Sequence, residues 1–343
     1  MMFFLSWWTL GCVTEELDVS VHCLNTEQHV VPTEDGAAVH LHRHRGQGPP
    51  VLVVHGISSN HHAWDLTEDR SLGVYLAEHG FDAWLLDLRG HGDARRDSLG
   101  KVQRAGWSVD DYARYDVSAA VSRIRSETGY AQVAYVGHSL GGMVGGIYAG
   151  SSPEADASLS SLVLVGSPMD FTDPDPVMRL GLQMGATASM ILPVVPSQLG
   201  ARFQAQIEHS VLPIDALLFR DIDTHHRSLM YRRIVSPLSK GELQQFGDVV
   251  QHHALRDEEG VVDHLDAFAD VHTPTLVVAG RGDLIAPVDR VLGSYRRLGA
   301  EKKSFVVAGR ATGFAVDYGH LDLTLGDHAQ EEIYPRILQW IQE

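Results

Sequence analysis

Ser139 stands in AQVAYVGHSLGG, residues 131–142, where strand-forming residues stop and a run of small residues begins. Gly137-x-Ser139-x-Gly141 has the spacing of a nucleophile elbow: a serine on a sharp strand-to-helix turn presents its hydroxyl, and small neighbours let the two elements pass closely. In a chain with 33 glycines such a pattern carries little alone, so its surroundings must supply the context. Acyl transfer by a serine needs three further parts: an imidazole base, a carboxylate that orients it, and N–H donors for the oxyanion. His320 in YGHLD is the expected base and Asp283 in GRGDLIAP the expected acid, which keeps the order Ser, Asp, His along the chain. Asp170 or Asp173 is the alternative acid and His328 the alternative base; Asp317 and Asp322 read as loop or capping residues. The oxyanion donors are expected to be the backbone N–H groups of Ile57, after His55-Gly56, and of Leu140, at a helix N-terminus. His138, Met143, Met169 and Met184 are the side chains expected to contact substrate. His55 reads as a packing histidine, and Arg89 in DLRGHG as a turn residue tied to carboxylates.

Those residues need strand ends to carry them. Residues 27–45 read as two strands around the turn signal Glu34-Asp35-Gly36. Val51–His55 is a continuous apolar run of the kind buried on both faces of a parallel sheet. Helix Leu66–Gly80, strand Asp82–Leu86, helix Ser108–Thr128 with a capping box at Ser108 and Asp111, and strand Gln132–Val136 lead to the elbow. Strands Leu162–Val165, Thr275–Ala279 and Ser304–Val307 and helices Pro287–Leu298 and Asp327–Gln342 continue the alternation. The fold class expected is α/β, a mostly parallel sheet flanked by helices. Residues 169–270 break the rhythm: they show no convincing buried strand and hold five of the eight methionines, and they read as a helical cap inserted before the acid-bearing strand. The core is then 27–168 plus 271–343, with 1–26 an extension or leader.

Composition narrows the partners. With 27 Lys+Arg against 44 Asp+Glu the net charge is −17, which repels phosphate backbones and speaks against nucleic acid. Two cysteines, Cys12 and Cys23, cannot make a disulfide framework. No C-x-x-C or H-E-x-x-H set is present and the adjacent histidine pairs point apart, so no metal is indicated, and the serine chemistry calls for no cofactor. The N-terminal MMFFLSWWTLGCV is apolar for 13 residues, too short to span a bilayer, and the first basic residue is Arg43. It reads either as a leader or anchor or as a plain extension. The address is correspondingly cytoplasmic, or membrane-associated or exported, with membrane-surface contact through the N-terminus or the cap as one expectation.

Taken together, the HG at 55–56, DLRGHG at 87–92, GHSLGG at 137–142, GRGDLIAP at 280–287 and YGHLDL at 318–323 resemble the α/β-hydrolase superfamily over about 45–343. SLGVYLAEHGFDAWLLDLRG, WSVDDYARYDVSAAV and GHLDLTLGDHAQEEIYPRI further resemble the acid (gastric and lysosomal) lipase branch, although the elbow reads GHSLG where those lipases usually have GHSQG. The resemblance implies a serine carboxylester hydrolase acting on a small acyl ester or lipid beneath a helical cap. Dehalogenases and epoxide hydrolases of this fold carry aspartate at the elbow, against Ser139. Thioesterase, lactonase, C–C hydrolase and acyltransferase chemistry share the same catalytic set, and a non-catalytic binding protein of the same fold is the rival from another class.

Overall fold

The computed structural model describes residues 26–96, 99–103, 106–171, 194–195, 197–205 and 213–343. The eight strands of its main sheet are β1 (Glu27–Pro32), β2 (Ala38–His44), β3 (Pro50–Val54), β4 (Asp82–Asp87), β5 (Val133–His138), β6 (Leu159–Val165), β7 (Thr275–Gly280) and β8 (Lys303–Ala308). Their spatial order is β1-β2-β4-β3-β5-β6-β7-β8. β2 is antiparallel to both β1 and β4, and every pairing among β3 to β8 is parallel. Each parallel strand therefore ends at the same rim, where β3, β5, β7 and β8 run into the loops that hold Ile57, Ser139, Asp283 and His320.

The apolar runs are continuous because the central strands are covered on both sides. Along β3 the alternation divides the core: Leu52 and Val54 pack with Trp84, Tyr135 and Val144, whereas Val51 and Val53 pack with Leu85, Val136 and Ile337 on the opposite face. Full burial of each such side chain contributes about 1.5–3 kcal/mol, so the rim is anchored from two directions.

The helices explain most departures from the sequence reading. α1 is Leu72–Glu78, N-capped by Ser71, whose Oγ accepts the Val74 N–H at 2.9 Å. The preceding residues, expected to be helical from Leu66, form a ribbon of Asp65–Thr67 against Arg70–Ser71. Asp65 is buried and occupied by His44 and Ser71, which fixes it in the ribbon. The helix expected from Ser108 has its capping box, then one wide π-type turn at Tyr112–Val117 before α2 (Ser118–Thr128). α3 (Leu140–Ser151) follows the elbow.

Between β6 and β7 the described residues hold helices Ser197–Ala205 and Pro213–Leu218, α4 (Thr224–Arg233) and α5 (Lys240–His252). A ribbon of Val194–Val195 with Leu238–Ser239 adds two short strands where none was expected. This interval docks on the rim: Ser236 N–H donates to the Ser58 carbonyl at 2.9 Å, Asn60 Nδ2 to the Arg233 carbonyl at 2.8 Å, and Glu242 N–H to the Trp107 carbonyl at 3.0 Å. α6 (Val288–Arg297) and α7 (Tyr334–Gln342) complete the chain. The last helix was expected from Asp327, but Pro335 has no N–H to donate back, and a separate turn, Ala329–Glu332, precedes it. Among the described residues no helix is long and apolar enough to cross a membrane. Cys12, Cys23 and the N-terminal apolar segment lie outside the described residues.

Arg89 is the ion-paired hinge of the DLRGHG turn. Its Nε donates to Asp116 Oδ1 at 2.7 Å and its two terminal nitrogens to Asp35 at 2.5 and 3.0 Å. Burial pushes Asp116 up to about 7, with Arg89 working against that rise. Removing one partner of a buried pair leaves the other charge uncompensated. Arg89→Ala should therefore cost about 3–5 kcal/mol at pH 8, read by urea denaturation; a change below about 1 kcal/mol would mean that the pair is energetically idle.

Candidate active site

Ser139 lies between β5 and α3 with φ 52° and ψ −121°, a conformation that L-residues rarely adopt. Its N–H donates to the Val165 carbonyl at 2.8 Å, and its carbonyl accepts from Gly142 at 3.0 Å and Met143 at 3.1 Å. The strained turn is therefore pinned on both sides. It also demands small neighbours: a Cβ at position 141 would come within 2.5 Å of the His55 carbonyl oxygen. That closeness brings the β3 exit loop alongside the serine.

His320 Nε2 is 3.0 Å from Ser139 Oγ, and His320 Nδ1 is 2.7 Å from Asp283 Oδ2. All three residues are buried. Asp283 Oδ1 accepts the N–H groups of Ile285 and Ala286, each at 2.8 Å. The carboxylate thus does two jobs, capping its own turn with one oxygen and meeting the imidazole with the other. Gly166, at φ +56° after β6, holds a left-handed turn that favours glycine, and it borders this pair: a Cβ there would rest in ordinary contact, 3.5 Å from both Asp283 Oδ2 and His320 Nδ1. Asp322 Oδ2 accepts from Gly319 at 2.8 Å and Arg220 at 2.6 Å, fixing the loop that presents His320.

Around the serine, no acceptor among the described residues takes the N–H of Ile57 or of Leu140. A Cβ at Gly56 would lie 3.1 Å from the Ser139 Cβ, so the backbone just before Ile57 borders the hydroxyl. His55 is engaged elsewhere: Nδ1 donates to the Gly56 carbonyl at 2.8 Å, and Nε2 accepts the Leu88 N–H at 3.2 Å. Burial holds it down to about 4, so it is neutral at physiological pH. Such a site can pass a proton from a hydroxyl to an imidazole steadied by a carboxylate, with two N–H groups free to receive negative charge.

The family model for the alpha/beta hydrolase fold matches residues 49–325. The chain belongs to the α/β-hydrolase fold family. This α/β hydrolase is similar to the lysosomal acid lipase/cholesteryl ester hydrolase of Homo sapiens, at 33% identity over 41% of this chain and 39% of that protein. It thus spans about two fifths of the length of that relative. It is also similar to triacylglycerol lipase 1 of Arabidopsis thaliana, at 24% identity over 92% of this chain and 86% of the relative. Among solved structures, a thermophilic esterase from Thermogutta terrifontis superposes with a TM-score of 0.62 at 20% identity, covering 92% of this chain and 98% of that one. Such an identity speaks for the fold alone.

The other expected residues of the hydrolase fall as follows. His138 is buried, and its Nε2 donates to the His320 carbonyl at 3.0 Å. Burial and the neighbouring His320 hold it well below its ordinary value, and its Nε2 props the loop that carries His320. Met143 and Met169 are buried in the main core. Met184 and Asp173 lie outside the described residues. Asp170 lies against Gly293 of α6, and His328 bonds Asp221 at 2.7 Å, so neither enters the Ser139 constellation. Asp317 accepts from Arg310 at 3.0 Å, as a loop residue does. The hydrogen bond from His138 to the His320 carbonyl and the left-handed turn at Gly166 escaped the sequence reading; the adjacency of His138 to the nucleophile and the Gly-Ser-Pro after β6 were the available signals.

Glu242, near the start of α5, was not anticipated at all. It completes a capping box with Ser239 through Oε2, and the whole side chain is buried. Burial pushes its carboxyl from 4.5 up to about 8. Between those values the folded protein keeps a proton that the unfolded chain has released, so stability falls as pH rises through that window and levels off above it. Glutamine caps equally well and does not titrate. Glu242→Gln should leave stability unchanged near pH 4.5 and add about 2–4 kcal/mol by pH 9, followed as Tm against pH; parallel profiles for the two proteins would contradict it.

Proposed function

We propose that the protein is a serine hydrolase of carboxylic esters, with Ser139 as nucleophile, His320 as base and Asp283 as the acid that orients it. The observation that carries this reading is the pair of contacts made by one imidazole, 3.0 Å to the hydroxyl and 2.7 Å to the carboxylate. With Asp283 accepting the Nδ1 proton, Nε2 presents a lone pair to Ser139. His320 takes the hydroxyl proton as Oγ attacks the ester carbonyl, and the Ile57 and Leu140 N–H groups receive the oxyanion. Protonated His320 returns its proton to the departing alcohol, leaving an acyl-enzyme. Water, deprotonated by the same imidazole, releases the acid. Water is the only co-reactant.

Residues 27–168 and 271–343 act in this reading as the core and 169–270 as a cap over the rim, supported by the contacts of Arg233, Ser236 and Glu242 with the rim loops. Similarity to lipases favours an acyl ester or lipid substrate. A p-nitrophenyl ester series from acetate to palmitate tests the activity, and the chain length giving the highest kcat/KM divides esterase from lipase. No turnover on any member of the series would remove the reading.

A further inference from the structure

Outside glycine, positive φ occurs among the described residues at Ser58 (52°), Ser139 (52°) and His253 (55°). For an L-residue this conformation crowds Cβ against the following carbonyl oxygen, and it persists only where the surroundings determine it. His253 follows α5 as its left-handed C-terminal cap, a common place for such a residue. Ser139 forms the elbow. That leaves Ser58, which directly follows Ile57 in the loop after β3.

Both ends of that loop are pinned by the neighbouring strand β4 and its exit. Before Ile57, His55 Nε2 accepts the Leu88 N–H at 3.2 Å; after Ser58, the His61 N–H donates to Asp87 Oδ1 at 2.7 Å. The turn between them is held by residues 139 and 178 positions further along the chain. The Ser58 hydroxyl donates to the Ser236 carbonyl at 2.7 Å, and the Ser58 carbonyl accepts the Ser236 N–H at 2.9 Å, so the two residues clamp each other at two points. Ser197 Oγ donates to the same Ser236 carbonyl at 2.7 Å and lies 3.0 Å from Ser58 Oγ. Asn60 Nδ2 adds its bond to the Arg233 carbonyl at 2.8 Å. The clamped turn borders the nucleophile, since a Cβ at Gly56 would lie 3.1 Å from Ser139 Cβ.

We propose that Ser58 is a positioning residue for the oxyanion site: its hydroxyl, anchored on Ser236, holds the left-handed turn that keeps the Ile57 N–H beside Ser139. Ser197 and Ser236 thereby help to form the site without touching substrate. The inference rests on the proposed roles of Ser139 and Ile57. Serine suits this turn only while its hydroxyl is bonded. Alanine bears the same steric cost with no bond to offset it, whereas glycine bears no such cost. Side chains at position 58 should therefore rank by tolerance of the turn and not by hydroxyl content.

The test is steady-state kinetics of the full chain on a p-nitrophenyl ester, with inhibition by an alkyl trifluoromethyl ketone, whose hemiketal with a serine carries the oxyanion. Ser58→Ala should lower kcat about 10-fold, below the loss of about 10²–10³-fold that follows outright removal of a donor. It should weaken the ketone by a similar factor, with KM and Tm little changed. Ser58→Gly should stay within about 3-fold of wild type in both readouts. Wild-type kcat and ketone affinity in Ser58→Ala, or a Ser58→Gly as impaired as Ser58→Ala, overturns the proposal. If Ser58→Ala does not fold, Ser197→Ala decides: it should lower kcat in the wild-type background and leave it unchanged in Ser58→Gly, and equal effects in both backgrounds overturn the proposal. An active Ser139→Ala would remove the proposed function and this inference with it. An inactive Ser139→Ala beside an unaffected Ser58→Ala removes this inference alone.

Discussion

Ser139→Ala is expected to lower kcat/KM toward a p-nitrophenyl ester by about 10⁵–10⁶-fold while the protein stays folded. The change removes a single oxygen from a buried turn whose backbone bonds to Val165, Gly142 and Met143 are untouched. Alanine meets the same steric cost at φ 52° that serine already bears, so Tm should move little. What disappears is the atom 3.0 Å from His320 Nε2, and with it the covalent intermediate. Residual turnover should come only from the N–H donors and substrate binding. Activity within tenfold of wild type would move the nucleophile elsewhere.

Asp283→Asn is expected to cost about 10⁴-fold in kcat, with KM little changed, and the reason is tautomeric. Oδ1 of Asp283 accepts two backbone N–H groups, so an asparagine must keep its oxygen there and turn its NH₂ toward His320. Facing a donor, Nδ1 becomes the acceptor, and the ring proton moves to Nε2, against Ser139. The imidazole then has no lone pair with which to take the hydroxyl proton. ¹H NMR of the imidazole N–H protons checks the mechanism: the resonance of a ring proton bonded to Asp283 should vanish in the variant. An unaltered spectrum with full activity would show that Asp283 does not set the tautomer.

Both predictions rest on residues legible in the chain before any coordinates, because each sits where a local pattern changes. β5 ends at an elbow, and Asp283 and His320 occupy the loops after β7 and β8. Strand alternation likewise revealed the parallel sheet. Less legible was anything joining residues of distant sequence by one polar contact: His138 and the His320 carbonyl are separated by 182 positions, and no periodicity records that bond. The ribbon at 65–71 was hidden for a related reason, since its determinant is the tertiary bond from Asp65 to His44. Helical spacing alone ran through it. The hydrogen bonds of His42 and His61 to one carboxylate, Asp87, escaped notice because the three residues come from three elements; adjacent histidines in the chain point apart, whereas these converge across the sheet edge. Glu242 shows the same limit, reading as an ordinary capping glutamate until its burial is known.

The most direct measurement is the site of covalent capture by a fluorophosphonate, which reacts with a serine only when a base has activated it and donors hold the resulting oxyanion-like oxygen. Mass spectrometry of the digested adduct should find one phosphonyl group per chain, on Ser139, with capture abolished in Ser139→Ala and strongly slowed in His320→Ala. An unlabelled protein, or a label carried by another serine while Ser139 stays free, would contradict the account.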